Sequence, residues 1–203
     1  VAAELKALGA ECLTITGDVT KSEDCNAAID RVVTAFGRID VLVNNAGAGD
    51  FHTTTEKCSD EFWDRMIALN QSSVLYCCRA VLPHMRAQGS GSIVNLSAIA
   101  GVYGNAGVSY SAAKAAVIAM TKALAKELGP SHIRVNCIAP GVIATEMNAL
   151  LDDETLAQLA EETPLECLGQ PEDVAQMILY LAEESTGRFL TGQVIGVNGG
   201  LII

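Results

Sequence analysis

The sequence predicts an α/β fold in which helices cover both faces of a doubly wound parallel sheet. Short runs rich in β-branched and apolar residues alternate with longer segments of 3.6-residue apolar periodicity. The short runs are apolar at consecutive positions, as parallel strands covered on both faces are. No repeat, linker or low-complexity segment interrupts the series, so residues 1–203 are predicted to form one domain.

The first elements are defined by their start and stop signals. The chain opens on the last turns of an amphipathic helix that Gly9 closes. Residues 13–16 are a strand candidate. Thr20 and Glu23 then have the spacing of a capping box, which begins a helix that ends at Gly37.

Two strands and a long helix follow. Residues 41–43 are predicted to be a strand that is buried on both faces. Ser59 precedes two acidic residues and is predicted to cap a helix that runs to about Met85. Residues 93–96 form the next buried strand.

The second half of the chain continues the alternation. The Ala-rich segment 109–128 predicts a long helix that Gly129 ends. Residues 133–138 are predicted to be a strand, Pro171 begins a helix at its first position, and residues 194–197 form the last strand.

Charge and composition exclude several classes of function. The chain has 13 Lys and Arg against 24 Asp and Glu, a net charge of −11, which leaves no basic field for nucleic acid. Its apolar runs are too short to span a bilayer and its N-terminus has no targeting pattern, so we expect a cytoplasmic protein without a membrane partner. The seven cysteines form no C-x-x-C pair and are expected to be free thiols without a metal site.

Ligands of doubly wound sheets bind beyond the carboxyl ends of the strands. Four segments leave those ends, at residues 17–19, 44–47, 97–98 and 140–141. Each contains Gly, Asn, Ser or Pro, which turns also require, so a purely structural interpretation of each segment stays open.

One constellation carries proton-transfer chemistry. Tyr110 and Lys114 are four residues apart, so a helix places the phenol and the ammonium on one face, where the cation favours the phenolate. Ser97 ends a buried strand, and Asn70 lies inside a helix, where Asn is a poor helix former. The alternatives are a packed Tyr beside a solvated Lys, an ordinary loop Ser and a helix-kinking Asn.

At these residues the sequence resembles the short-chain dehydrogenase/reductase family. The matching motifs, in the family's order, are Asn44-Asn45-Ala46-Gly47, the helical Asn70, Ser97, Tyr110-Ser111-Ala112-Ala113-Lys114 and Asn136-Cys137-Ile138-Ala139-Pro140-Gly141. The ending Val197-Asn198-Gly199-Gly200 is similar to the branch of 3-oxoacyl-(acyl carrier protein) reductases. The resemblance covers essentially the whole chain and implies a Rossmann-like fold.

The resemblance implies the role of each motif. Tyr110 would protonate the carbonyl oxygen of a ketone as hydride arrives from NADPH or NADH, and Lys114 would lower the pKa of Tyr110 and hold the nicotinamide ribose. Ser97 would position the carbonyl, and Asn70 would hold a water that returns the proton through Lys114. Together with Tyr110 and Lys114, the residues implied to contact the cofactor are Asp18, Val19, Asn44, Ala46, Gly47, Pro140, Gly141, Val142 and Thr145.

The segment at about 141–168 would be the substrate loop. Its apolar residues Met147, Leu150, Leu151 and Leu156 could form a lid over an acyl chain, or they could belong to a surface amphipathic helix.

The family's Gly-rich phosphate loop and first strand are missing from the sequence. We therefore expect an N-terminally truncated sheet that lacks the first βαβ unit, and a longer natural protein. The alternative from another class is a non-catalytic remnant with a structural role. Whether NAD or NADP is preferred cannot be read, because the residue that contacts the adenosine ribose follows the missing second strand.

The implied substrate is a ketone, most simply a 3-oxoacyl group on acyl carrier protein in fatty acid synthesis. An acidic carrier should meet basic residues, and Arg86, Lys126, His132 and Arg134 are sparse on an acidic chain. A small ketone, or a protein-borne ketone of the kind found in modified elongation factor P, is the alternative. Family members are commonly homotetramers, and Ala112, Ala116 and Ala119 could pack between subunits.

Overall fold

Four parallel strands form the centre of the molecule. The structure is a computed structural model that describes residues 1–50, 53–147 and 151–203. The strands are β1 (Val41–Asn44), β2 (Gly91–Leu96), β3 (Ile133–Pro140) and β4 (Val194–Val197). They are hydrogen-bonded in the order β1-β2-β3-β4, and each adjacent pair is parallel. The predicted alternation of strands and helices is confirmed.

Helices connect the strands. They are α1 (Ala2–Ala7), α2 (Ser22–Phe36), α3 (Asp60–Ile67), α4 (Ser73–Gln88), α5 (Ile99–Tyr103), α6 (Val108–Leu128), α7 (Asp153–Glu162), α8 (Pro171–Ala182) and α9 (Glu184–Gly187). A π-helical turn, Ala68–Ser72, joins α3 to α4, so the predicted long helix is one rod with an inserted bulge.

The core consists of two layers, one on each face of the sheet. On one face α2, α4 and α6 pack on alternate strand residues such as Ile93 and Val135, and α6 contributes Val117. On the other face α8 packs its Leu181 against Val94 and its neighbours. Helices on both faces of a parallel sheet are the doubly wound architecture that the sequence predicts.

Two predictions near the first strand are wrong. Residues 13–16 form no strand, because no described strand lies beyond β1 to pair with them. Val41 and Val43 of β1 are each 38% exposed, whereas the sequence predicts burial on both faces. The cause is position: β1 is the edge of the described sheet, and α8 covers β2, β3 and β4.

The predicted N-terminal cap is present in α3 and absent from α2. Ser59 accepts a hydrogen bond from the Phe62 N–H at 3.2 Å, which confirms the predicted cap of α3. The capping box predicted at Thr20 is wrong, since α2 begins at Ser22 and Asp18 takes the Thr20 hydroxyl and N–H instead. Thr20 therefore bonds to Asp18, two residues before it, and does not form the predicted capping box with Glu23.

A buried arginine ties β3 to the end of α8. The Arg134 guanidinium donates to the carbonyl oxygens of Leu181 at 2.6 Å and Ala182 at 3.0 Å, and the Ser92 hydroxyl also donates to Leu181. The last carbonyls of a helix lack partners within the helix, so these bonds satisfy them. Arg134 thus belongs to the interior and anchors α8 to the sheet.

Within the described residues, no helix combines the length and apolar character that a bilayer crossing requires.

Candidate active site

Asn70 lies in the π turn and holds the loop that follows β1. Its side chain is fully buried, its Nδ2 donates to the carbonyl oxygens of Ala48 at 3.1 Å and Met66 at 3.2 Å, and its Oδ1 accepts from the Ala48 N–H at 3.2 Å. Both amide hydrogens are used, and one acceptor position of Oδ1 remains. The poor helix former is therefore placed where a side-chain amide substitutes for missing backbone pairing.

Gly47 brings this loop close to Lys114 of α6. A Cβ on Gly47 would lie 2.7 Å from Asn70 Oδ1 and 3.3 Å from Lys114 Nζ. The backbone of Gly47 therefore passes between the two side chains at a distance that only glycine permits.

Lys114 and Ser97 are joined through main-chain carbonyls. Lys114 Nζ donates to the Leu96 carbonyl at 3.0 Å, and the Ser97 hydroxyl donates to the Lys114 carbonyl at 2.8 Å. Both side chains are buried. The end of β2 and the first turns of α6 are thus locked together, and the Ser97 hydroxyl faces the helix that carries Tyr110.

Burial controls the pKa values of the Tyr110 and Lys114 pair. Desolvation raises the pKa of Tyr110 to about 12 and lowers the pKa of Lys114 to about 8. The expected lowering of the Tyr110 pKa is therefore wrong for this structure. The Lys114 ammonium lies 5.7 Å from the centre of the phenol ring, and desolvation dominates over its field.

Hydrogen bonds between buried side chains join β1 and β2 to α6, and the sequence did not predict them. Asn44 Nδ2 donates to Asn95 Oδ1 at 2.8 Å, and Asn95 Nδ2 donates to the Thr121 hydroxyl at 2.9 Å. Thr121 in turn donates to the Val117 carbonyl. Polar residues at inward positions of two neighbouring strands were the available signal.

Asp50 is a second residue that the sequence did not single out. It is buried, its carbonyl accepts from the Gly107 N–H at 2.9 Å, and its carboxylate accepts from the Ser109 hydroxyl at 3.4 Å. A Cβ on Gly107 would overlap the Asp50 carboxylate. Asp50 therefore fixes the loop after β1 to the first turn of α6.

A cavity of about 680 Å³ opens at the carboxyl ends of β1, β2 and β3. Nine of the predicted site residues line it, namely Gly47, Asn70, Ser97, Tyr110, Lys114, Pro140, Gly141, Val142 and Thr145. Asp18, Val19, Asn44 and Ala46 are not among the lining residues, while Asn45 and Ala48 are. Three of the four segments predicted at strand ends thus meet at one edge of the sheet, together with Asn70 and the helix that carries Tyr110 and Lys114, whereas residues 17–19 do not line the cavity.

The segment after β3 forms one wall of this cavity. Gly141 N–H donates to the Val197 carbonyl, and Ala144 N–H donates to the Gly169 carbonyl, so both ends of the predicted substrate loop are pinned. Met147, Leu151 and the α7 residues Thr155 and Leu159 line the cavity. Leu156 is not part of the lining, and Leu150 lies outside the described residues.

The far wall is apolar. It comes from the first three turns of α8, through Pro171, Val174, Ala175 and Ile178. The cavity therefore has a polar end with proton-transferring groups and an apolar end between α7 and α8.

Fold and site together define a doubly wound α/β protein whose proton-transferring side chains surround a cavity at the strand ends. A family model described as enoyl-(acyl carrier protein) reductase matches residues 1–202. A 3-oxoacyl-(acyl carrier protein) reductase of Thermotoga maritima is 44% identical over 92% of this chain and 75% of its own length. Similar reductases of Staphylococcus epidermidis (40% identity, 99% of this chain, 82% of the relative) and Synechocystis (41%, 100% and 81%) span nearly the whole chain.

The chain belongs to the short-chain dehydrogenase/reductase family. It is an oxidoreductase that uses a nicotinamide cofactor. The described residues fit the nicotinamide half of that group, because Gly47 leaves open the space before Lys114 and Asn70 that a Cβ would fill. The ammonium of Lys114 and the backbone of residues 140–142 line the same space.

Proposed function

We propose that the chain reduces the 3-oxo group of an acyl thioester on acyl carrier protein to a 3-hydroxyl group, with NADPH or NADH as the reductant. One observation carries this proposal: Tyr110, Lys114 and Ser97 line the same cavity as the apolar wall that α7 and α8 form. A β-keto thioester needs both a proton donor at its oxygen and apolar surface for its chain. The relatives named as 3-oxoacyl-(acyl carrier protein) reductases support the same substrate.

Tyr110 is the proton donor in this proposal. Its phenol is protonated at neutral pH, and burial, which raises its pKa to about 12, favours that form further. When bound, a reduced nicotinamide would supply hydride to the carbonyl carbon. The phenol of Tyr110 delivers its proton to the carbonyl oxygen. The ammonium of Lys114 then lies on the same helix face and favours the resulting phenolate.

Ser97 and Asn70 position the reacting groups. The Ser97 hydroxyl is bonded to the Lys114 carbonyl, and rotation about its χ1 aims it into the cavity toward a substrate oxygen. Asn70 holds the loop of Gly47 beside Lys114, and its remaining acceptor position suits a water that returns a proton to Lys114.

The cofactor contacts follow from the family resemblance and the cavity. Gly47, Pro140, Gly141, Val142 and Thr145 line the cavity and are proposed to contact the nicotinamide and its ribose. The proposed set is completed by Asp18, Val19, Asn44 and Ala46. Of these, Asp18 and Val19 precede α2 and are proposed to flank the adenine, while the buried Asn44 acts through Asn95 beneath the loop.

Turnover with acetoacetyl thioesters tests the proposal. The rate is followed by oxidation of the reduced nicotinamide, with the acetoacetyl group on acyl carrier protein in one arm and on coenzyme A in the other. Faster turnover of the carrier-bound thioester, as kcat/KM, supports the proposal. Absence of turnover with both thioesters contradicts it.

A small ketone is the second candidate substrate, and a specific observation favours it. Arg134, one of the basic residues considered for carrier binding, is buried against helix carbonyls, and Arg86 is paired with Glu127 at 2.7 Å. Few cations of the predicted set are thus presented to an acidic carrier by a chain of net charge −11. Turnover of ethyl acetoacetate above that of the carrier-bound thioester would favour this candidate.

We also propose that copies of the chain associate as a homotetramer. Phe189 is 95% exposed, and Leu179 and Tyr180 of α8 are 51% and 46% exposed. Burial of such apolar surface between subunits is favourable. Light scattering on the protein measures the mass, and a monomer at micromolar concentration would contradict the assembly.

A further inference from the structure

Two thiols face each other between the first turn of α2 and the second turn of α4. Cys77 Sγ lies 3.6 Å from Cys25 Sγ and donates to it. Cys25 is buried and Cys77 is half-buried, so small reagents reach the pair from the Cys77 side. The two residues are 52 positions apart, so the tertiary packing of α2 on α4 brings them together.

The pair is connected to the loop before α2. The Cys25 thiol donates to the carbonyl of Val19 at 3.5 Å, and the neighbouring Asp24 carboxylate accepts from the Asp18 N–H at 2.8 Å. The Cys77 thiol thus donates to Cys25, and the Cys25 thiol donates to the backbone carbonyl of Val19. Asp18 and Val19 are the residues that the proposed function assigns to the adenine.

We infer that Cys25 and Cys77 are a reversible modification site that forms an intramolecular disulfide with small disulfide oxidants and thereby weakens cofactor binding. A disulfide requires the sulfurs to close by about 1.5 Å, from contact distance to a bond of about 2.05 Å. Side-chain rotation with a small shift of α2 supplies that movement. The coupling to the cofactor rests on the proposed role of Val19, whereas disulfide formation does not.

The chemistry balances with glutathione disulfide as the oxidant. The Cys77 thiolate attacks one sulfur of the oxidant, which forms a mixed disulfide and releases one glutathione. The Cys25 thiolate then attacks the Cys77 sulfur and releases the second glutathione. Two thiols of the protein are oxidised, one disulfide is reduced to two thiols, and the two protons pass to the released thiolates.

Burial of the thiols slows their oxidation, and the disulfide removes a hydrogen bond. The pKa of Cys77 is raised to about 12 by desolvation and by the neighbouring thiols, so thiolate is scarce and oxidation is slow. Once the bond forms, Cys25 has no S–H to donate and the Val19 carbonyl loses its partner. Because linkage is reciprocal, bound cofactor should shift the equilibrium toward the dithiol by the same factor.

Peptide mapping tests the modification itself. The full chain is incubated with glutathione disulfide, the remaining thiols are alkylated, and trypsin releases Cys25 in peptide 22–31 and both Cys77 and Cys78 in peptide 66–79. We expect these peptides joined, with fragment ions that place the bond at Cys77, and the joined peptide should vanish in Cys25→Ser and Cys77→Ser. Cys58→Ser, a half-buried cysteine outside the pair, is the matched control and should keep it.

Two mapping results would overturn the modification site. One is glutathione retained on Cys77 without a joined peptide. The other is a joined peptide that persists in Cys77→Ser through Cys78. Neither result depends on turnover, so failure here is distinct from failure of the proposed function.

Cofactor titration tests the coupling. Fluorescence of the reduced nicotinamide should give a Kd that is about 3- to 10-fold higher for the oxidised chain, the range that one lost hydrogen bond produces. Dithiothreitol should restore the lower Kd, and Cys77→Ser should keep it after oxidant. An unchanged Kd in a chain whose peptides are joined would overturn the coupling.

Discussion

The side-chain amide of Asn70 forms a reciprocal pair of hydrogen bonds with the backbone of Ala48, donating to its carbonyl at 3.1 Å and accepting from its N–H at 3.2 Å. This pairing resembles that of two strands, although one partner is a side chain on a helix. It is possible because the π turn Ala68–Ser72 widens the helix at this residue. The loop that carries Gly47 is therefore set by the helix on which Asn70 lies.

Removing this amide should destabilise the fold. Asn70→Ala leaves the half-buried N–H and carbonyl of Ala48 without these partners and empties a fully buried position, so the free energy of unfolding should fall by about 1–3 kcal/mol. Urea unfolding measures the change. Asn26→Ala, on the exposed face of α2, is the matched control and should alter stability by less than about 0.5 kcal/mol. Equal effects of the two substitutions would contradict the assigned role of Asn70.

A side chain at residue 47 should impair turnover more than stability. The Cβ of Gly47→Ala would lie 2.7 Å from Asn70 Oδ1 and 3.3 Å from Lys114 Nζ, so it displaces the groups that line the nicotinamide space. We expect kcat/KM to fall by about 100-fold, the scale on which small misplacements act. Gly129→Ala is the control because its Cβ meets nothing within 4 Å and its φ is −50°. Comparable kinetics of both variants would remove Gly47 from the site.

Burial of Lys114 predicts a pH dependence of stability. Its pKa is lowered from 10.5 to about 8, so between these values the unfolded chain binds a proton that the folded chain does not. Stability then rises with pH across this window, and the cost of the buried charge is fully present below about pH 8. The stability of wild type relative to Lys114→Met, from urea unfolding, should therefore increase from pH 8 to pH 10.5. A flat or falling difference would mean that Lys114 is not desolvated.

Arg134 offers a comparison between a buried and an exposed cation. Arg134→Met removes the donor to the Ala182 carbonyl and one of the two donors to the Leu181 carbonyl, which keeps Ser92, so stability should fall by about 1–3 kcal/mol. Arg86→Met removes an ion pair with Glu127 in which both side chains are about half exposed, and should cost about 0–1 kcal/mol. Thermal and urea unfolding of both variants measure the two losses. A larger loss for Arg86→Met would contradict the anchoring of α8.

The strands and helices could be predicted because their signals are local. Periodicity and caps predict β4 and the start at Ser59 in agreement with the structure, and they predict α6 to within one residue. Residues 13–16 have strand composition, yet a strand exists only through pairing, and pairing is a property of the sheet. The same limit explains Val41, whose exposure depends on a neighbour rather than on its own sequence.

In the candidate site, too, local features could be predicted from the sequence and features that depend on tertiary packing could not. Tyr110 and Lys114 could be predicted as a pair because four residues on a helix fix their relative position. The sign of the Tyr110 pKa shift could not, since desolvation depends on every group that packs around the phenol. Asp50 was missed for a related reason: its importance lies in a contact with Gly107, 57 residues away in the chain.

Tyr110→Phe should separate chemistry from binding. The substitution removes one oxygen and keeps the ring that packs with Met66 and Ala100, so the protein should still unfold in one cooperative thermal transition and keep its Kd for the reduced nicotinamide. Ketone reduction should fall by about 100- to 10,000-fold, the usual contribution of a general acid. In wild type, kcat/KM should fall as pH rises past about 8, because Lys114 then loses the charge that favours the phenolate. Titration of the phenol does not cause this fall, since the pKa of Tyr110 is about 12. Tyr103→Phe, which alters a phenol that is 72% exposed, is the control and should leave all four measurements unchanged. Turnover of Tyr110→Phe within tenfold of wild type would assign the proton to another donor.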